Sequence, residues 1–370
     1  MNESEEAARL HWTPTDPHGF VVSDGAPPVR DGAPPVRDDS SPVRDDYELP
    51  APVQGADGPA LTEAPAPALG APAHSGPKAP SYPPVPQGLP AVTGDLAAAV
   101  LPDIVLDGAA YPGLSVRAAS VRGDSHRYAG EPRQDALCVT RIGGGEQGGE
   151  LLMLAVADGV GSAPRSHVGS NEACRLAARY LDHSTSLHES IRTGDAERFQ
   201  RTADAVVRQI GNLLGDLALQ HSERPDTFAT TLRILLVPLD PRIRTRGFLA
   251  VGDGGTALLR RGYWHLDVVG DAEGDKDSDV IDTRTAALPR ARSAVTRLLH
   301  AHAGDVLVLS TDGLSSPLAG DSGMRDFLAG AWNDDEVPAP ADFLWQFQYR
   351  VKSYDDDRTA VVLWEHGEAR

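Results

Sequence analysis

The chain has 370 residues, and 53 Asp and Glu residues outnumber 34 Lys and Arg residues, which gives a formal net charge of −19. This acidity argues against nucleic acid or an anionic membrane as the main partner, because both are bound by clustered Lys and Arg. Two cysteines, Cys138 and Cys174, are too few for a disulfide framework or a four-cysteine zinc site. The sequence has no apolar run of about 20 residues and no basic N-terminus followed by an apolar stretch. It therefore predicts a cytoplasmic protein that does not enter a membrane.

Residues 1–107 differ in composition from the rest of the chain. They contain the repeat DGAPPVR-DGAPPVR-DDSSPVR from Asp24 to Arg44, followed by runs rich in Ala and Pro. A segment with so few large apolar side chains cannot offset the entropy lost on ordering. We therefore expect a disordered, acidic, Pro/Ala-rich tail with local polyproline II character. Two interpretations stay open for it: a plain spacer, or a docking tail for a regulatory partner.

Residues 108–370 combine blocks of strands with blocks of helices. Strands are expected in SVRAASVRG, DALCVTRI and LLMLAVADG, and the last of these is apolar almost throughout, as in a strand buried on both faces. Helical spacing of apolar residues predicts helices over Gly169–Leu181 and Ala196–His221. More strands follow, then two short helices in SGMRDFLAGAW and ADFLWQFQYR, and a final strand, RTAVVLWE. This order favours an α+β fold: a four-layer α-β-β-α sandwich of two mainly antiparallel sheets flanked by helix pairs.

The sequence motifs of several common enzyme classes are missing. The chain has no GxSxG, no HExxH and no GxxxxGK[ST]. The segment GGGEQG (Gly143–Gly148) matches GxGxxG, but it lies between two predicted strands and opens no helix, so we interpret it as a hairpin loop. The acidic segment Asp271–Asp279 has Lys276 where a calcium-binding loop needs glycine, which favours a solvated loop.

Aspartates recur at the ends of predicted strands. A strand end is a rigid platform, and a glycine after the aspartate lets the backbone come close to an ion. If the carboxylates converge, pairs about 4 Å apart repel by roughly 4 kcal/mol at an effective dielectric constant of about 20, so the cluster needs cations or protons. Oxygen ligands without recurrent His or Cys favour Mg²⁺ or Mn²⁺ over zinc. The residues at these positions are Asp135, Asp158 with Gly159, Asp253, Asp312 with Gly313, and Asp356.

Six segments, in order, resemble the motifs of the metal-dependent Ser/Thr protein phosphatases of the PP2C (PPM) type, in particular bacterial members. The resemblance covers roughly Ser115 to Glu365. The segments are GDSHRYAGEPRQDA, VADGVGS, FATTL, VGDGGTALLR, LSTDGL and DDDRTAVVLW. Two positions depart from the family pattern: Gly254 stands where serine is usual, and Asp357 stands where asparagine is usual.

The resemblance implies a role for each aspartate. Asp135, Asp158 and the carbonyl of Gly159 would bind one metal ion, and Asp158 would bridge to a second ion. Asp312 and Asp356 would complete the shell of the second ion. Asp253 matches a position that helps to hold a third, weaker ion. A water activated by two Mg²⁺ or Mn²⁺ ions would then attack the phosphorus of phosphoserine or phosphothreonine.

Two further departures concern the groups that would contact the phosphate. Gly130 stands where the family has its phosphate-orienting arginine, so Arg127 or Arg133 is the expected substitute, unless both are ordinary surface arginines. Val160 stands where some members have a histidine that is a candidate general acid. His126 is the candidate for that role here, and the alternative is that it is not catalytic.

The sequence therefore predicts a monomeric, metal-dependent protein serine/threonine phosphatase whose substrates are phosphorylated proteins and whose partner is a Ser/Thr kinase. Two alternatives stay open. One is a pseudophosphatase, in which the same fold serves as a binding or regulatory module. The other is an unrelated acidic α+β binding protein whose Asp-Gly pairs are ordinary turns.

Overall fold

A computed structural model of the chain describes most of residues 100–367 and three short pieces before them. The described ranges are 74–75, 78–83, 88–90, 100–143, 150–266, 268–269, 286–333 and 336–367. The repeat at residues 24–44 and the acidic segment Asp271–Asp279 lie outside these ranges, as does all but the first residue of Gly143–Gly148.

Within these ranges, eleven strands form two sheets in which all neighbouring strands are antiparallel. The first sheet has the spatial order β1 (Ile104–Tyr111), β2 (Leu114–Val121), β11 (Arg358–Glu365), β10 (Asp305–Ser310), β7 (Gly255–Arg260) and β8 (Tyr263–His265). The second sheet has the order β3 (Ala136–Ile142), β4 (Leu151–Ala157), β5 (Leu232–Pro238), β6 (Thr245–Val251) and β9 (Val295–His300).

Seven helices lie in the described ranges, and the last six of them cover the outer faces of the two sheets. In chain order they are α1 (Asp124–Ala129), α2 (Ser166–Asp182), α3 (Thr185–Thr193), α4 (Ala196–Gln220), α5 (Asp312–Gly320), α6 (Ser322–Trp332) and α7 (Pro340–Phe347). A 3₁₀ turn at Pro225–Phe228 follows α4. In the part of the chain that the structure describes, no helix combines the length and the apolar character that a membrane span requires.

Three hydrophobic cores separate the four layers. Along β4, Leu154 points into the core between the two sheets, whereas its neighbour Met153 points into the core that α2, α3 and α4 cover. The first sheet alternates in the same way: Leu309 of β10 lies in the core between the sheets, and Val308 lies in the core under α5, α6 and α7. Since alternate residues of one strand are buried on opposite sides, both sheets are interior layers.

The predicted α-β-β-α sandwich and its two long helices are thus confirmed, and each outer layer holds a third helix as well. The segment that begins at Asp312 forms α5, although Pro317 lies inside it. Leu314 and Leu318 hold this helix against the first sheet, so packing outweighs the low helix propensity of proline. Strand β9 and helix α3 were not predicted either.

The predicted domain boundary at residue 107 falls inside β1, and described residues before β1 contact the folded domain. We call residues 74–75, 78–83 and 88–90 the N-terminal strap. The N–H of Ser75 donates to the carbonyl of Arg350 (3.0 Å), and the guanidinium of Arg350 donates to the carbonyl of Tyr82 (2.6 Å). The N–H of Gly88 donates to the carbonyl of Arg127 (2.9 Å). Residues 74–107 therefore include segments that belong to the domain, and residues 1–73 lie outside the described ranges.

Deletion of residues 1–99 should destabilise the domain, whereas deletion of residues 1–73 should not. The longer deletion removes the strap, with four hydrogen bonds to the domain and the contact between the rings of Tyr82 and Tyr128, whose centroids are 5.3 Å apart. At about 1 kcal/mol for each hydrogen bond, the free energy of unfolding should fall by about 2–4 kcal/mol. Urea titration of both truncated proteins and the full chain measures this. Equal midpoints for the two deletions would contradict it.

Candidate active site

Two aspartates of the second sheet lie at neighbouring strand ends. Asp135 directly precedes β3 and Asp158 directly follows β4, and the adjacent residues Ala136 and Ala157 are paired in the antiparallel ladder. Asp135 is almost fully buried, with 1% of its surface exposed, and Asp158 is half-buried. The pairing of β3 and β4 therefore fixes two carboxylates beside each other.

Two more aspartates come from the first sheet. Asp312 follows β10 and is the first residue of α5, while Asp356 precedes β11, and the ends of these strands are paired through Ser310 and Ala360. The carboxyl group of Asp312 acts electrostatically on that of Asp158. Both sheets thus contribute carboxylates to one place, at one edge of the sandwich.

The carboxyl groups influence one another's titration strongly. Burial raises the pKa of Asp158 well above its ordinary value, and the charges of Asp135, Asp312 and Asp356 raise it further. Burial also raises the pKa of Asp135, and the charges of Asp357 and Asp356 act in the same direction. The pKa of Asp356 is raised too, first by loss of hydration. These groups cannot all be ionised together unless cations compensate their charge.

The donor set fits divalent cations. All four side chains offer oxygen atoms, which Mg²⁺ and Mn²⁺ prefer. The Oδ1 atom of Asp312 is buried and has no hydrogen-bond partner among the described residues. A buried carboxylate oxygen without a partner is costly unless a proton or a cation occupies its lone pairs.

The backbone of Asp158 is held by the two threonines of the FATTL segment. The hydroxyl of Thr230 and the N–H of Thr231 both donate to the carbonyl of Asp158 (2.8 Å each). The N–H of Asp158 in turn donates to the hydroxyl of Thr231 (3.0 Å). These contacts explain why two adjacent threonines accompany the aspartate: they fix the chain where it leaves β4.

Gly159 lies where a side chain has no room. A Cβ atom at this position would come within 2.8 Å of the carbonyl of Gln134 and within 2.8 Å of the Cβ of Ser166. Both neighbours belong to the frame of the site, since Gln134 precedes Asp135 and Ser166 begins α2. Glycine is therefore required for the close approach of three backbone segments at this point.

Thr311 connects the two sheets, and sequence reasoning did not single it out. Its hydroxyl donates to Oδ2 of Asp135 (2.8 Å) and accepts from the N–H of Thr359 (3.1 Å). Thr359 belongs to β11 of the first sheet, whereas Asp135 leads into β3 of the second. The only sequence signal was its position, one residue before Asp312.

Asp357 is the second residue that the sequence left without a role. One of its carboxylate oxygens accepts from the N–H of Gly123 (2.6 Å) and from Nδ1 of His126 (2.9 Å). The other accepts from the N–H of Gln134 and, at 3.4 Å, from the N–H of Asp135. This buried carboxylate ties the start of α1 to the segment that carries Asp135, so it builds the frame of the site.

The family model described as protein phosphatase 2C matches residues 122–340, more than half of the chain. The chain belongs to this family. It is therefore a protein serine/threonine phosphatase by family. The matched region contains Asp135, Asp158 and Asp312 but ends before Asp356, which the fold brings to the same place.

Several solved bacterial phosphatases are similar to this phosphatase in structure. The serine/threonine phosphatase of S. agalactiae is 15% identical, with a TM-score of 0.48 and coverage of 68% of this chain and 99% of that chain. PstP/Ppp of Mycobacterium tuberculosis is 20% identical (TM-score 0.44; 69% and 99% covered). PppA of Pseudomonas aeruginosa is 19% identical (TM-score 0.43; 70% and 99% covered). No curated protein matches the chain.

Both candidate phosphate-orienting arginines of the phosphatase are buried and bound to other groups. Arg127 of α1 donates to both carboxylate oxygens of Asp103 (3.1 and 2.6 Å). Arg133 donates to the hydroxyl of Ser120, to the carbonyl of Asp135 (2.9 Å) and to the carbonyl of Pro102 (3.3 Å). Neither is a surface arginine, and a role in orienting phosphate stays a prediction for both.

His126 lies beside the carboxylates, and its imidazole is cationic at neutral pH. Burial alone would lower its pKa, but the hydrogen bond and charge of Asp357, with the charges of Asp356 and Glu131, raise the pKa to about 9. Ligand atoms of His126, Asp356 and Asp357 all lie within 4.8 Å of one another. Since Asp357 already accepts backbone N–H groups, it is the least available of the three to a cation.

Asp253 is placed at the same edge of the sandwich, but with an exposed side chain. It precedes β7, whose first residue, Gly255, pairs with Ser310 at the end of β10. Its backbone carbonyl accepts from Nε of Arg233 (2.9 Å). The expected part of Asp253 in holding a third ion stays a prediction.

Replacement of Asp357 by alanine should lower the free energy of unfolding by about 2–4 kcal/mol, because it leaves buried N–H groups without an acceptor. Asp355→Ala is the matched control, since the contacts of Asp355 with Ser125 use its backbone carbonyl. Urea denaturation of both variants measures the difference. If Asp355→Ala lost as much stability as Asp357→Ala, the Asp357 carboxylate would not have the structural role described above.

Without divalent cations, the phosphatase should lose stability as the pH rises above the ordinary carboxylate range, about 4. The pKa values of Asp158 and Asp135 are higher in the folded than in the unfolded state, so the folded protein binds more protons and ∂ΔG/∂pH is negative. Unfolding temperatures in EDTA should therefore fall between pH 5 and 8, and less steeply for Asp158→Asn. A flat profile for the unsubstituted protein would contradict the clustering of charge.

Proposed function

We propose that this phosphatase hydrolyses phosphoserine and phosphothreonine in proteins, in a reaction that depends on two divalent cations. The convergence of carboxylates from both sheets carries the proposal, because the raised pKa values of Asp135 and Asp158 and the unpartnered Oδ1 of Asp312 both call for cations. The four aspartates at the centre of the proposal are Asp135, Asp158, Asp312 and Asp356.

The ligands are those that the resemblance to the PP2C family implies, and the placement of the strand ends supports them. Asp135, Asp158 and the carbonyl of Gly159 would hold one ion, and Asp312 and Asp356 would complete the shell of a second ion that shares Asp158. Asp253 would help to hold a third, weaker ion. Oxygen ligands favour Mg²⁺ or Mn²⁺. When bound, such ions supply a water nucleophile of lowered pKa and neutralise charge on phosphoryl oxygens.

The remaining groups would position the substrate and protons. His126 keeps one proton on Nδ1 for its hydrogen bond to Asp357, which fixes the imidazole beside the carboxylates. With a pKa of about 9 it is also a candidate donor of a proton from Nε2 to the leaving hydroxyl. Arg127 is the better placed of the two arginines to contact phosphate, because it lines a cavity next to Asp356, whereas Arg133 donates into the interior.

A pseudophosphatase that acts as a binding module is the second candidate. One observation favours it: Arg127 is held by Asp103 in a two-bond pair, and Arg133 is held by Ser120 and backbone carbonyls. Neither of these two arginines would then be ready to bind phosphate. The presence of all four aspartates at one place argues for turnover.

Hydrolysis of a phosphothreonine peptide should require Mn²⁺ or Mg²⁺, stop in EDTA, and fall at least about 100-fold in Asp158→Ala and in Asp312→Ala, because each substitution removes a ligand. Calorimetry should show that each variant also binds fewer Mn²⁺ ions or binds them more weakly. Asp216→Ala is the matched control, since Asp216 is exposed on α4. Full Mn²⁺ binding without turnover in the unsubstituted protein would favour the binding module.

A further inference from the structure

A cavity of about 340 Å³ opens directly beside the carboxylate cluster. Asp356 belongs to both, because it lines the cavity and is one of the four clustered aspartates. The cavity lies between α1, the start of β11 and the segment that follows α7. Its aromatic walls are Phe327, Trp345, Phe347, Tyr349 and Tyr354. A concave site of this size with mostly apolar walls and a few polar groups is typical of ligand recognition.

Four arginines line the same cavity, although the chain as a whole is strongly acidic. Three of them form ion pairs, and they share two carboxylates of the described residues. Arg122 and Arg127 both pair with Asp103 (2.8 and 2.6 Å). Arg350 pairs with Asp124 (2.6 Å). The fourth, Arg358, has a different environment.

Arg358 is buried, with 8% of its surface exposed, and pairs with no carboxylate of the described residues. Its Nε donates to the carbonyl of Gly313 (2.9 Å), and Nη1 donates to the carbonyls of Phe347 (2.9 Å) and Tyr349 (2.6 Å). Nη2 makes no hydrogen bond within the described part of the chain. The guanidinium of an arginine stays cationic at neutral pH. The cavity therefore contains a buried guanidinium that forms no ion pair within the described residues, an arrangement that an anionic ligand would relieve.

We propose that this cavity is a subsite for an acidic side chain, Asp or Glu, of the phosphoprotein substrate, whose carboxylate pairs with Arg358. The proposal rests on the proposed phosphatase function and adds a substrate class to it. A carboxylate can accept from Nη2, while the methylene groups of the same side chain pack against the aromatic walls. A basic side chain would meet Arg358 with like charge, and an apolar one would leave the guanidinium without a partner.

The position of the cavity indicates that the acidic residue lies close to the phosphorylated one. Asp356 joins the cavity to the carboxylate cluster, and extended chain advances only about 3.3–3.6 Å per residue. Asp124, Asp355 and Asp356 also line the cavity and oppose an anion there, so Arg358 must outweigh them. Trp345 and Tyr354 are partly exposed at the cavity, 43% and 37%, so a substrate can reach these walls.

The test uses phosphothreonine peptides that differ only by Glu or Gln at one position, scanned over three positions on each side. With Mn²⁺, at least one position should show a kcat/KM about tenfold higher for Glu, as expected for one charge-assisted hydrogen bond. In Arg358→Gln this Glu/Gln ratio should fall to about one, whatever the absolute rate. The exposed Arg192→Gln is the control and should keep the ratio.

Binding of the unphosphorylated peptides in EDTA, followed by tryptophan fluorescence, separates this proposal from the phosphatase function. A Glu preference that Arg358→Gln abolishes supports the subsite even if no peptide is hydrolysed. If Arg358→Gln does not fold, Arg358→Lys takes its place, and the Glu preference should weaken because lysine keeps the charge but lacks the planar, two-nitrogen donor of the guanidinium. Equal binding and hydrolysis of Glu and Gln peptides at every position would overturn the proposal. An equal rise of KM for both peptides in Arg358→Gln would also overturn it, because Arg358 would then bind the substrate phosphate.

Discussion

Electrostatic repulsion among the clustered carboxylates is the constraint on which the site depends. Two unit charges about 4 Å apart repel by roughly 4 kcal/mol at an effective dielectric constant of about 20. The fold nevertheless holds Asp135, Asp158, Asp312 and Asp356 together, because the strands that carry them are fixed by the cores on both faces of each sheet. The packing of these cores therefore keeps the carboxylates close together although their charges repel each other. For this reason the site requires cations to compensate its negative charge.

The run Asp355–Asp357 demonstrates how neighbouring residues of one type acquire different roles. Asp355 contributes its backbone carbonyl to Ser125 at the start of α1. Asp356 presents its carboxylate to the cluster and to the adjacent cavity. Asp357 is 2% exposed and accepts backbone N–H groups with both oxygens. Environment, and not residue type, decides which of the three carboxylates is available to an ion.

The sequence was sufficient for the layers and for the aspartates, because both depend on local patterns. Buried strands and amphipathic helices have recognisable spacing, and strand ends follow from it. The partners of the arginines could not be predicted, because they depend on contacts between distant segments. Arg127 pairs with Asp103, which lies inside the predicted tail, and Arg133 turns towards Ser120 and the backbone. Helix α5 was missed for a similar reason, since packing overrides the proline within it.

The hydrogen bond from Thr311 to Asp135 crosses from one sheet to the other. Its length therefore follows the separation of the sheets, which the side chains between them determine. Leu154 and Leu309 belong to the core between the sheets. They supply none of the expected metal ligands, yet their volume helps to set the distance between the two sheets. An added methylene group there would move carboxylates of one sheet away from those of the other, since packed cores resist compression. The interior volume of the sandwich is consequently part of the geometry with which the phosphatase would select its ions.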